Sequence, residues 1–209
     1  LERRVPNLMK KGQGGDKEAK SAAVALQKAL DLLREGKPAR LAEPADADEK
    51  RHLSQAQLLT GKPVLYVCNV DEGSAATGNA FSARVAEMAK AQGAGAVVIS
   101  AAIEAEIVTM EPADRPEYLE ALGLAETGLA RIIRAGYDLL HLLTFFTIGP
   151  KEARAWTVEK GATAPNAAGA IHTDFEKGFI RAETIAYEDF VQFNGEAGAR
   201  EHGKLRAEG

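Results

Sequence analysis

The chain has 209 residues, 45% of them apolar, and a formal charge of −4. That is enough for one to three small domains with an ordinary soluble core, and it is not the balance of a dedicated nucleic-acid binder. A single cysteine, Cys68, excludes an internal disulfide and a zinc site; within the apolar run Val64–Cys68 it reads as a buried, inert thiol. No apolar run approaches the roughly 18 residues of a membrane span and no signal peptide is visible, so a reducing cytoplasm is expected.

The average charge hides a gradient. Leu1–Arg40 carries ten Lys/Arg against five Asp/Glu, and the remainder is acidic. Two helices are predicted here, over Leu1–Lys11 and Lys17–Glu35, separated by the turn Gly12-Gln13-Gly14-Gly15-Asp16. Ala22, Ala25, Leu26, Ala29, Leu32 and Leu33 recur at helical spacing, and Leu1, Val5 and Leu8 give the first helix a matching stripe. Small residues at the seam suggest a short coiled-coil hairpin. Pro6 kinks the first helix or stands in its first turn. A basic arm on an acidic body suits an anionic partner, whereas charge alone is more often a solvated helical face.

Asp46-Ala47-Asp48-Glu49 reads as a capping box opening a helix to about Leu59. Val64–Val70 and Ala96–Ser100 read as buried strands, with a helix over Asn79–Ala91 between them. Pro116–Leu122 and Gly128–Leu143 read as further helices. Strand–helix–strand–helix order implies a parallel α/β layer, but two strands are few for an open sheet, so it is expected to continue in residues this sequence lacks or in a partner. From Thr144 the pattern becomes α+β, with strands over Ala155–Val158 and Phe179–Ile185 punctuated by Gly161, Pro165, Gly169 and Gly178. The domains expected are 1–55, a helical arm; 56–140, an α/β layer; and 141–209, an α+β module.

Asn69-Val70-Asp71-Glu72 follows the first α/β strand, where ligands of open α/β sheets bind. It resembles the base-recognition motif of P-loop GTPases, Asn-Lys-x-Asp, with two departures. Val70 replaces a lysine whose stem would pack along the base. Glu72 replaces an aspartate that would accept from guanine N1–H and the 2-amino group; adenine has an acceptor at N1, so a carboxylate must swing away from it, which relaxes the preference for guanine. Taken alone, the tetrapeptide is more often an Asx-turn. Ser100-Ala101-Ala102, at the end of the second strand, resembles the other base-side loop of these NTPases, where a backbone N–H reads the exocyclic edge. A phosphate loop, Gly-x-x-x-x-Gly-Lys-Ser/Thr between strand and helix, is not found: Gly36-Lys37 and Gly61-Lys62 each precede proline. His52, His141, His172 and His202 lack metal-ligand spacing. No catalytic residue and no metal ligand is assigned.

The segments Leu142-Leu143-Thr144-Phe145-Phe146-Thr147, Lys151-Glu152-Ala153-Arg154-Ala155-Trp156-Thr157, Ile171-His172-Thr173-Asp174-Phe175 and Gly195-Glu196-Ala197-Gly198 resemble the β-grasp TGS domain that closes the YchF (EngD) family of Obg-like P-loop NTPases. The likeness extends over the basic arm and the Asn-x-x-Glu layer. It implies the C-terminal portion of a protein that binds ATP or GTP with magnesium and contacts ribosome or structured RNA as a nucleotide-dependent switch. It gives base-side roles to Asn69, Val70, Glu72, Ser100, Ala101 and Ala102, and makes ATP acceptable at least as well as GTP. The family's phosphate loop and magnesium region precede the point where this sequence starts, so hydrolysis by this chain alone is not expected. Candidate RNA contacts are Lys10, Lys11, Lys17 and Lys20 in the arm and Arg154, Lys177 and Arg181 in the module, with Lys151, Lys160, Arg200, Lys204 and Arg206 as further phosphate-facing cations; Trp156, Phe175 and Phe179 read as core. The family ends in a further strand that this sequence lacks, so an incomplete or edge-exposed β-grasp sheet is expected. The alternative is an RNA- or ribosome-binding module whose NTPase-like layer is only a scaffold.

Overall fold

The computed structural model describes residues 1–208, which divide into two compact units, Leu1–Leu140 and the residues from His141 onward. In the first unit α1 (Arg4–Gln13) and α2 (Lys17–Arg34) form a helical hairpin. Pro6 lies in the first turn of α1, where its missing N–H costs nothing. Asp16 caps α2 by accepting from the Ala19 N–H at 2.9 Å. The seam of α2 is built on small residues, Ala19, Ala22, Ala23, Ala25 and Ala29, with Leu26 and Leu30, and Leu26 packs with Val5. The arm is more than a hairpin. α3 (Ala47–Gln55) packs on α2, supplying Leu53 to both apolar clusters of the arm.

Only half of the expected capping box forms at α3. Asp46 accepts from the Glu49 N–H at 2.8 Å, but the Glu49 carboxylate turns to the Ala45 N–H (2.8 Å) and the Lys28 ammonium (2.6 Å). The helix stops at Gln55, short of Leu59, as Gln57 adopts φ +48° and a 3-10 turn covers Leu59–Gly61.

β1 (Leu65–Asn69) and β2 (Gly95–Ile99) pair in parallel, Leu65 opposite Gly95 and Asn69 opposite Ile99. α4 (Ala80–Ala91) connects them, opened by an Asn79–Ser82 capping box. The strands are half-buried, not buried: Val67 is 46% exposed and the Cys68 thiol is partly accessible. A pair flanked by α4 and α7 (Gly128–Leu139) leaves more strand surface uncovered than a wide sheet would. Two further helices, α5 (Ala101–Thr109) and α6 (Arg115–Ala121), close a second core of Ala75, Ile103, Ile107 and Leu124 against Tyr118, Leu119 and Leu122. α7 ends at Leu139; Leu142 and Leu143 belong to a strand, since His141 at φ +52° breaks the helical run.

The second unit opens with the antiparallel pair β3 (Leu142–Ile148) and β4 (Ala153–Glu159). It continues through α8 (Ala164–Ile171), α9 (Thr173–Lys177), β5 (Ala182–Thr184), α10 (Tyr187–Gln192), α11 (Glu196–Glu201) and β6 (Arg206–Glu208). β5 pairs with β6, so among the described residues there is no single β-grasp sheet but two separate pairs. The Phe179–Ile185 strand is cut to three residues. The Gly-Glu-Ala-Gly segment has a backbone reason: Gly195 sits at φ +113°, and a Cβ on Gly198 would lie 1.9 Å from the Phe193 carbonyl oxygen.

Candidate nucleotide site and basic surfaces

β1 and β2 end side by side, and their ends carry the two candidate base-side segments. The Asn69 Oδ1 accepts from the Ala101 N–H at 2.9 Å, and the Val70 N–H donates to the Ile99 carbonyl at 2.9 Å. The first contact ties the segments together and fixes the Asn69 amide. Since Ala101 presents a donor, Oδ1 must face it, and Nδ2 is left pointing elsewhere as a donor. The second contact spends the Val70 N–H, so only the half-buried Val70 side chain is free to act.

The Ser100-Ala101-Ala102 segment is not a loop. Ser100 precedes α5, and Ala101 and Ala102 form its first turn. Among the described residues the Ala102 N–H has no backbone acceptor, as the geometry of a helix start requires. Ser100 is 2% exposed, and its Oγ has no hydrogen-bond partner. Asp71 caps a 3-10 turn over Glu72–Ser74 through the Ser74 N–H at 3.0 Å, which leaves the Glu72 carboxylate exposed at the turn's start.

Asn69, Glu72, Ala101 and Ala102 are all exposed, so the site is an open ledge. Two surface grooves lie elsewhere. One of about 320 Å³ lies between α1 and α2, lined by Met9, Gly12, Gln13, Lys20, Ala23 and Val24; one of about 600 Å³ is lined by α6 and the residues around it.

Sequence reasoning missed the groups that brace this ledge. The Glu104 carboxylate accepts from the Gly128 N–H (2.6 Å) and the Leu129 N–H (3.1 Å), capping α7 beside Ile99. Tyr118 donates to Glu106, and its hydroxyl is pushed up to about 12 by that bond first, then by burial and by the Glu106 and Glu72 charges. Arg131 reaches the Ala75 carbonyl at 3.4 Å. Ala101–Thr109 was legible as a helix only through the apolar pair Ile103 and Ile107, four residues apart.

Toward the root of the arm Lys28, Arg34 and Lys37 pair with Glu49, Glu2 and Glu35, while Arg3 and Arg4 are exposed and join no ion pair among the described residues. At the tip, Lys10, Lys11, Lys17 and Lys20 are exposed and join no ion pair among the described residues. In the second unit Arg200 pairs with Glu183 and Glu196, and Lys204 with Asp189. Arg154, Lys177 and Arg181 are exposed and join none among the described residues. The expected core role of the aromatics fails for Phe175, which is 56% exposed; Trp156 and Phe179 are half-buried.

The histidines are scattered. His52 is buried in the arm, His172 accepts from the Asp174 N–H to cap α9, and His202 stacks on Phe193. Among the described residues no group of three His, Cys, Asp or Glu side chains is placed to hold a metal ion, and no helix is long and apolar enough to cross a membrane.

Residues 142–209 match the family model YchF-GTPase_C, described as a protein of unknown function (DUF933). The chain is 50% identical over 208 residues to the ribosome-binding ATPase YchF of Haemophilus influenzae and 44% identical over 211 residues to that of Bacillus subtilis. In both cases all of this chain aligns with 57% of the relative. Among solved structures, the Schizosaccharomyces pombe YchF GTPase matches with a TM-score of 0.82 at 28% identity, over 100% of this chain and 57% of that one. The chain therefore spans little more than half the length of these relatives. With its whole length aligned at this identity and its fold shared, the chain belongs to the YchF family and matches the C-terminal portion of its members.

Proposed function

We propose that this chain carries the base-selecting half of an ATP or GTP site together with the ribosome- or RNA-facing surfaces of a nucleotide-dependent switch. The observation that carries the reading is the 2.9 Å contact from the Ala101 N–H to the Asn69 Oδ1, which joins the ends of adjacent parallel strands into one ledge. Asn69 Nδ2, left as a donor, meets N7, an acceptor shared by both purines. Glu72 accepts from the guanine N1 and 2-amino groups and turns away from adenine. The Ala102 N–H donates to guanine O6 and finds a donor instead of an acceptor at the adenine 6-amino group, so the balance between Glu72 and the start of α5 sets the preference. The buried, unpartnered Ser100 Oγ fits a site whose polar groups are completed by a ligand.

The nucleotide, when bound with magnesium, supplies the phosphoryl chemistry; none of the described residues is assigned to its phosphates or its metal. The relatives' name, ribosome-binding ATPase, supports a ribosomal partner, and a cytoplasmic place goes with it. Exposed Lys10, Lys11, Lys17 and Lys20 in the arm and Arg154, Lys177 and Arg181 in the second unit, which join no ion pair among the described residues, are the surfaces we assign to it. The openness of the ledge favours the rival reading, an RNA- or ribosome-binding module with the α/β layer as scaffold.

One experiment separates them. In a chain of the relatives' full length, Glu72→Asp with Val70→Lys is expected to shift the ATP/GTP affinity ratio toward GTP by about 1–3 kcal/mol, the scale of a base-edge contact. An unchanged ratio removes the base-selecting role. No base-dependent response at all leaves the scaffold.

A further inference from the structure

We propose that Arg154 and Trp156 form a stacking platform for an unpaired RNA base. The proposal rests on the RNA-facing reading of the second unit and names what that surface accepts.

The two residues lie two apart on β4 and so share one face of the β3–β4 ribbon. The Arg154 guanidinium carbon lies 4.2 Å from the centroid of the Trp156 ring. The indole is itself pinned from the neighbouring strand, its Nε1–H donating to Thr147 Oγ1 at 2.9 Å, and Thr147 stands directly opposite Arg154. A guanidinium held over an indole presents its far face as a flat, charged plane, and Arg154 is exposed. Among the described residues it joins no ion pair, so no carboxylate competes for its donors. Lys151, exposed in the Gly149–Glu152 turn that joins the strands, adds a second cation close to the ribbon's end.

A planar cation backed by an aromatic ring is the arrangement on which splayed-out bases stack, while flanking cations take the phosphates. A duplex keeps its bases stacked on each other and offers this plane nothing but phosphate. The platform therefore prefers single-stranded or bulged RNA to a regular helix.

Trp156 is the chain's only tryptophan, so its fluorescence reads the site directly. The 209-residue chain is titrated with a uridine oligonucleotide of about ten residues, within the range of single-strand sites, and with a duplex of the same length. The single strand is expected to bind more tightly and to quench the emission. Arg154→Lys, which keeps the charge and loses the plane, is expected to lower single-strand affinity about tenfold and to leave duplex affinity unchanged. Equal single-strand affinity in Arg154→Lys and the parent, or binding without quenching, overturns the platform while leaving RNA contact in place. Absence of binding to either RNA and to ribosomes overturns both the platform and the reading beneath it.

Discussion

Replacing Asn69 with alanine tests the ledge at its centre. Two effects are expected, and the structure separates them. The first is structural: the Ala101 N–H loses its 2.9 Å acceptor. A side-chain hydrogen bond contributes about 0.5–1.5 kcal/mol net, and the site is exposed, so water replaces the amide and the loss lies near the lower end. The second is functional: the Nδ2 donor to the purine is gone, which costs about 1–3 kcal/mol of nucleotide affinity, or about 5- to 150-fold. Because N7 is common to both purines, ATP and GTP are expected to weaken by the same factor. Asn69→Asp isolates the second effect, since it keeps an oxygen for Ala101 and removes the donor; stability is expected to match the parent while affinity falls. The assay is competition against a fluorescent nucleotide on a chain of the relatives' full length, with thermal unfolding in parallel. An Asn69→Ala affinity within about twofold of the parent, or unequal losses for ATP and GTP, refutes the reasoning.

Leu26, fully buried between Val5 and Leu30, is expected to cost about 2–5 kcal/mol on replacement by alanine, with Val24→Ala, 45% exposed, costing under about 0.5 kcal/mol as a control; denaturant unfolding measures both. Glu49 is held below its ordinary value of 4.5 by the Lys28 hydrogen bond and then by the Ala45 N–H. Its stabilisation is therefore present above that value and lost as pH falls through the lower folded-state one. Glu49→Gln is expected to flatten the acid limb of a thermal-unfolding series between about pH 6 and pH 3, and an unchanged limb counts against the Lys28–Glu49 pair. Neutralising Lys10, Lys11, Lys17 and Lys20 is expected to reduce the salt dependence of RNA or ribosome binding by about 0.7–0.9 for each phosphate these lysines neutralise; identical slopes mean the arm tip touches no phosphate.

What could be read from the sequence was local. The helices predicted over Lys17–Glu35 and Asn79–Ala91 form at Lys17–Arg34 and Ala80–Ala91, each opened by a short polar side chain, Asp16 or Asn79, that accepts from its first turn. Asn69 was legible as the end of a strand followed by a polar turn. The contact that gives it meaning was not, since it comes from the first residue of α5, just beyond the next strand, and only the parallel register brings that residue alongside. The same limit explains the errors. Ser100-Ala101-Ala102 looks like a loop when α5, rich in alanine and β-branched residues, is not recognised as a helix. Leu142 and Leu143 extend an apolar helical period until a left-handed His141, invisible in composition, stops it. Burial of the strands was overestimated because an apolar run reports what a strand prefers to meet, not what covers it. Phe175 shows the same for a single side chain.

The join between the arm and the α/β layer has a thermodynamic consequence. Gln92, capping the end of α4, is met by three donors: Arg40 Nε on its main-chain oxygen at 2.9 Å, with Arg40 Nη2 at 3.3 Å and the Tyr66 hydroxyl at 3.0 Å on its side-chain oxygen. One glutamine thus fastens the root of the arm, the end of a helix and the first strand. The arm root cannot open without releasing α4, so the two behave as one cooperative foldon. Amide exchange at Ala39, Leu41 and Ala42, whose N–H groups are hydrogen-bonded, then reports the stability of the α/β layer.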